Sequence, residues 1–130
     1  MNGQTHREHT VEETVDEVDT VPPGSAEAVL QSMQGIVGRK WHPVILYHLL
    51  RDGQTGYTEL QDRIDGISSK MLSESLSELE DRELVDRTIT NRKPVRVAYE
   101  PTGRGRALEP VVTELLRWGR RYLDPEEIHP

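Results

Sequence analysis

Apolar positions along the chain fall into short helical stripes, broken once by strand-like alternation. In residues 67–84, Leu72, Leu76 and Leu79 recur at spacings of four and three, with Glu83 four further on and Ile67 and Leu84 closing the ends. That is the period of a helix burying one side. Its opposite side carries Ser69, Lys70, Ser73, Glu74 and Ser77. Upstream, Ala26, Val29, Leu30, Met33, Ile36 and Val37 share one face of a predicted helix over 26–37, with Ser25 as N-cap and Gly38 as its stop. Residues 44–50 are apolar nearly all round, interrupted by His48, and Pro43 suits a first helical turn. This predicts a buried central helix. A third helix starts near Tyr57, where Thr58 and Gln61 fit a capping box, and ends near Asp65-Gly66. With Ser68 as the next N-cap, two helices are joined by a turn of a few residues, a helix-turn-helix.

Past Glu83 the period falls to two. Residues 84–89 are rich in β-branched side chains, Asn91-Arg92-Lys93-Pro94 reads as a turn, and Val95-Arg96-Val97-Ala98-Tyr99 alternates apart from Ala98. A hairpin with a basic tip is predicted. Thr102 then caps a last helix to about Leu123, whose first turn Gly103 and Gly105 weaken. Leu108, Val111, Val112, Leu115, Leu116, Gly119, Tyr122 and Leu123 form two adjacent stripes on it. So much apolar surface on a terminal helix points to a partner subunit, with the first helix as companion in that interface.

Serine on the outer face of the 67–84 helix changes its meaning. A helix that only covers a core usually turns long Lys and Glu side chains to water, whereas short hydroxyls permit close approach and offer donors and acceptors, as a helix in a DNA major groove requires. The net charge of −7 argues the other way until it is mapped. Residues 1–24 hold six acids against Arg7, and residues 124–130 hold three acids. These segments are read as a disordered acidic tail and an acidic C-terminal tail around a domain at 25–123. Within the domain, residues 82–106 carry seven basic and three acidic side chains, so one basic patch survives. Lys is scarce, Arg plentiful and Phe absent, a composition similar to cytosolic proteins of salt-loving archaea. No cysteine is present, which excludes a disulfide framework, thiolate zinc and thiol redox chemistry. No apolar run is long enough to span a membrane and the N-terminus is unlike a signal peptide, so a cytoplasmic protein is expected.

Enzyme chemistry finds no foothold. His42 and His48 lie six apart and cannot share a helix face as i, i+4 metal ligands do; they read as a helix-start residue and a partly buried core histidine. His6, His9 and His129 fall in the tails. Gly-rich phosphate loops, GxSxG and apolar-framed carboxylate pairs are missing. No catalytic residue, metal site or cofactor is predicted.

Several separated stretches, in order, resemble the HxlR-type family of winged-helix transcriptional regulators. They are Gly38-Arg39-Lys40-Trp41, residues 44–50, Tyr57-Thr58-Glu59-Leu60, Gly66-Ile67-Ser68-Ser69-Lys70-Met71-Leu72-Ser73, Leu76-Ser77-Glu78-Leu79-Glu80, Leu84-Val85-Asp86-Arg87, Val97-Ala98-Tyr99 before Thr102, Gly105-Arg106-Ala107-Leu108 and Trp118-Gly119. The resemblance implies a mostly α fold with a small β-hairpin: a winged helix-turn-helix with added N- and C-terminal dimerisation helices. It also implies a homodimer that binds operator DNA and regulates nearby genes, expected here as a repressor. The recognition helix would span about 68–83 and the wing 85–99. Ser68, Ser69, Lys70, Ser73, Glu74 and Ser77 are then the expected base-facing residues. Arg92, Lys93 and Arg96 in the wing, with Arg39 and Lys40, are expected on phosphates or the minor groove, while Arg104 and Arg106 would neutralise nearby acids. Val29, Leu30, Met33, Val112, Leu115, Leu116, Trp118 and Tyr122 are the expected dimer interface. Where several family members carry a sensing cysteine, this chain has Ala28. The alternative is a winged-helix module that binds protein instead of DNA.

Overall fold

Helix α1, Pro23–Ser32, opens the part of the chain that the computed structural model describes, residues 21–128. The acidic residues 1–20, with the expected tail there, and residues 129–130 lie outside it. Two units divide the chain after Gly38. In the first, α1 starts two residues before the expected cap. Pro22 holds the N-cap position and Pro23 the first turn, where a missing N–H costs nothing. Nor does α1 run unbroken to Val37. The Ser32 hydroxyl donates back to the Ala28 carbonyl at 2.8 Å, a bond that bends helices, and a 3-10 turn over Met33–Gly35 follows.

The second unit begins with α2, His42–Asp52. Ile45, Leu46 and Leu49 are fully buried, while Val44, His48 and Leu50 are half-covered, so α2 has one buried side instead of burial all round. Strand β1, Thr55–Gly56, leads into α3, Tyr57–Arg63. The cap is not Thr58 with Gln61. Gly56 holds the N-cap position and its N–H donates to Glu59 Oε1 at 3.3 Å. Leu60, Ile64 and Ile67 are buried through the turn, and Gly66 takes the left-handed φ of 82° that the tight reversal requires.

Helix α4, Ser69–Asp81, is capped as expected, the Met71 N–H donating to Ser68 Oγ at 3.1 Å. Leu72, Leu76 and Leu79 are at most 1% exposed, and burying each contributes roughly 1.5–3 kcal/mol. Glu83 does not extend this stripe. It lies past the helix end with φ 60°, in a Schellman turn closed by Leu84 N–H to the Leu79 carbonyl (3.0 Å) and Glu83 N–H to the Glu80 carbonyl (2.8 Å).

Strands β2, Val85–Arg92, and β3, Val95–Pro101, form the hairpin, and β1 adds to the other edge of β3, giving the antiparallel order β1-β3-β2. Successive residues face opposite sides of a sheet, and Ala98 and Tyr99 are both buried, so the hairpin base is covered on both faces. The outer half stands in solvent, with Ile89 and Val95 exposed.

The last helix is split. Thr102 caps a short α5, Gly103–Arg106, accepting from the Gly105 N–H at 3.0 Å while its hydroxyl donates to the Glu83 carbonyl at 2.7 Å. Then α6, Glu109–Tyr122, starts afresh with Pro110 in its first turn. A single helix from Thr102 would place Pro110 inside, where its ring meets the carbonyl four residues back. Gly105 is a packing requirement as well: a Cβ there would lie 2.1 Å from the Leu84 carbonyl oxygen. A 3-10 turn over Pro125–Glu127 follows α6.

Candidate nucleic-acid interface

Burial of the leucine stripe fixes what α4 presents outward. Ser68, Ser69, Lys70, Ser73, Glu74 and Ser77 are all exposed. Two of them are tied to α3. Gln61 Nε2 donates to Ser69 Oγ at 2.9 Å, and the Tyr57 hydroxyl lies 3.1 Å from the Ser69 carbonyl and 2.9 Å from Ser73 Oγ. Sequence reasoning missed Tyr57 and Gln61. Their signal was present: they sit four apart on α3, as Ser69 and Ser73 do on α4, so matched polar pairs flank a tight turn.

The wing follows the same side. Tyr57 also borders a groove of about 540 Å³ whose other bank is the hairpin, lined there by Thr90, Pro94, Val95, Arg96 and Val97. The tip is shaped by its own bonds: Lys93 N–H to Asn91 Oδ1 at 3.2 Å, and the Thr90 hydroxyl to the Arg96 carbonyl at 3.4 Å. Arg92, Lys93 and Arg96 are exposed, and none forms an ion pair with another described residue.

Arg39 and Lys40 are less free. Arg39 Nη2 sits 2.9 Å from Glu78 Oε1 on α4, and Lys40 Nζ lies 4.9 Å above the Trp41 ring. His42, only 1% exposed, places Nε2 3.0 Å from the same Glu78 oxygen. That contact is close but poorly aligned, and neither ring nitrogen is satisfied by a described residue. Burial lowers the His42 pKa and Glu78 opposes the shift. Sequence spacing gave no sign of this contact. On α3, Arg63 bridges Asp52 (2.6 Å) and Glu59 (3.1 Å). Arg104 and Arg106, expected to neutralise acids, make no ion pair with another described residue.

Of the expected dimer residues in the first unit, Val29 and Leu30 are exposed and Met33 is half-covered. In the second, Val112 is already buried within the chain, beside Tyr47 and Leu50 of α2. Leu115, Leu116, Trp118 and Tyr122 are 46–59% exposed. Among the described residues, no group of three or more His, Asp or Glu could hold a metal ion, and no helix is long and apolar enough to cross a membrane.

Comparison with known proteins fits this geometry. The model of the HxlR-like helix-turn-helix family matches residues 36–127. The chain belongs to the HxlR-like family. Its α3–turn–α4 unit is the helix-turn-helix and its hairpin the wing. The HTH-type transcriptional regulator YodB of Bacillus subtilis (strain 168) is 36% identical over 96 residues, 74% of this chain and 85% of YodB. Among solved structures, the redox regulator HypR in its reduced form aligns with a TM-score of 0.68 at 33% identity, covering 77% of this chain and 97% of that one. The HTH-type transcriptional regulator ytcD aligns at 0.67 with 34% identity, covering 72% and 95%. This HxlR-like chain is thus a winged helix-turn-helix transcriptional regulator.

Proposed function

We propose that this HxlR-like protein acts in the cytoplasm as a homodimeric repressor, each protomer laying the outer face of α4 in the major groove of an operator. Ser68, Ser69, Lys70, Ser73, Glu74 and Ser77 form that face. Arg92, Lys93 and Arg96 grip phosphates or the adjacent minor groove, and Arg39 and Lys40 flank the backbone more weakly because each already has an internal partner. Val29, Leu30 and Met33, with Leu115, Leu116, Trp118 and Tyr122, supply the contact between protomers. Val112 supports that surface from beneath.

One observation carries the reading. Tyr57 touches Ser73 on the exposed α4 face and also borders the groove that runs to Arg96, in a wing whose three cations have no ion-pair partner among the described residues. A surface that leaves three cations uncompensated beside short hydroxyls is matched to a polyanion with a readable floor. The test is a gel shift on promoter fragments, the gene's own upstream region included. K70A/R92A is expected to lose binding while light scattering still reports a dimer. No shift of the unmodified protein on any promoter fragment would favour a protein-binding module instead.

A further inference from the structure

The polar residues on the outer side of α4 are not equivalent. The Tyr57 hydroxyl donates to the Ser69 carbonyl, so its contact with Ser73 requires the Ser73 hydroxyl to be the donor. Ser69 Oγ accepts from Gln61. Each of the two serines is held in one orientation with part of its hydrogen-bonding capacity spent. Their placement agrees. At 100° per residue, and among the six residues of the proposed face, Lys70, Glu74 and Ser77 point most directly away from the Leu72, Leu76 and Leu79 stripe, and Ser69 and Ser73 sit on the shoulder toward α3. Lys70 and Glu74 are exposed and form no ion pair with any described residue.

Resting on the DNA-binding reading above, we infer that Lys70 and Glu74 are the base-reading side chains of this protein, whereas Ser69 and Ser73, with Tyr57 and Gln61, form a brace that sets the pitch of α4. An ammonium donates to guanine O6 and N7, and a carboxylate accepts from the cytosine N4 amine. Residues four apart on a helix have Cβ atoms about 5–6 Å apart, while base pairs rise about 3.4 Å. The half-site therefore contains a guanine for Lys70 and a cytosine for Glu74 one or two steps away. Glu74 also discriminates by repulsion, because any base edge or phosphate that offers only acceptors is disfavoured beside it.

Selection of binding sites from a random duplex library by the full chain tests the assignment. The unmodified protein enriches a motif with both bases. K70A flattens the guanine position by about 5- to 150-fold. E74Q loses the cytosine and admits adenine, since an amide pairs with adenine N6 and N7. S69A/S73A weakens binding to all sequences alike and keeps both letters. A motif unchanged in K70A and E74Q, or letters altered in S69A/S73A, overturns the assignment while leaving DNA binding intact. An unmodified chain that enriches no sequence overturns the DNA-binding reading and the assignment together.

Discussion

Helices α4 and α6 are of similar length, 13 and 14 residues, and both carry an apolar stripe at helical period. The stripes end differently. Leu72, Leu76 and Leu79 are sealed, while Leu115, Leu116 and Trp118 stay close to half exposed. The fastenings differ too. α4 is tied by Gln61 and Tyr57 at its start, by His42 and Arg39 through Glu78, and by the Schellman turn and Thr102 at its end. The only ion pair of α6 with a described partner is internal, Arg117 with Glu114. On the proposed reading, the helix that meets DNA in one orientation is the one braced from three directions. On the same reading, a helix with a free apolar side is left for a surface that a second chain supplies.

The largest expected effect separates the stripes. L76A should lose about 2–5 kcal/mol in urea unfolding. L115A should cost under about 0.5 kcal/mol per folded chain, as surface changes do, and shift the protein toward monomer in light scattering. Equal losses would erase the distinction. G105A attacks the C-terminal fastening of α4. Its methyl meets the Leu84 carbonyl, and overpacking of this kind costs about 1–3 kcal/mol in the same assay.

Acid should destabilise the fold at its buried histidines. His42 and His48 titrate below their ordinary 6.5, chiefly because burial disfavours the charged ring. The unfolded chain then takes up protons at higher pH than the folded one. Stability is full above about 6.5 and falls as pH drops through the folded values. H42Q should shallow that acid-side loss in thermal melts taken at several pH values, and an unchanged slope would remove His42 as a cause. One substitution has the opposite sign. E83G relieves a left-handed φ in a non-glycine residue and should stabilise the fold by about 0.5–1 kcal/mol.

Much of this was legible. The leucine stripe, the Ser68 cap, the tight turn and the basic hairpin tip each depend on residues close in sequence, where period and capping rules apply. Two helix ends were misread for local reasons: Ser32 bonds back to Ala28, and Pro110 forbids one continuous last helix. The His42–Glu78 contact was beyond reach, because no period within one element links the two residues, and the brace left only its matched spacings, which do not say that Tyr57 meets Ser73 across 16 residues. The burial of Val112 within the chain was not legible, because two adjacent stripes do not reveal which of them α2 covers.

A footprint of the full-length protein on genomic DNA tests the central claim, that α4 addresses DNA while α6 addresses a second copy. The expected result is protection of promoter sites built from two inverted half-sites, centred about 10 base pairs apart or a multiple of that. Protection without sequence preference, or of single unrepeated half-sites, would contradict it.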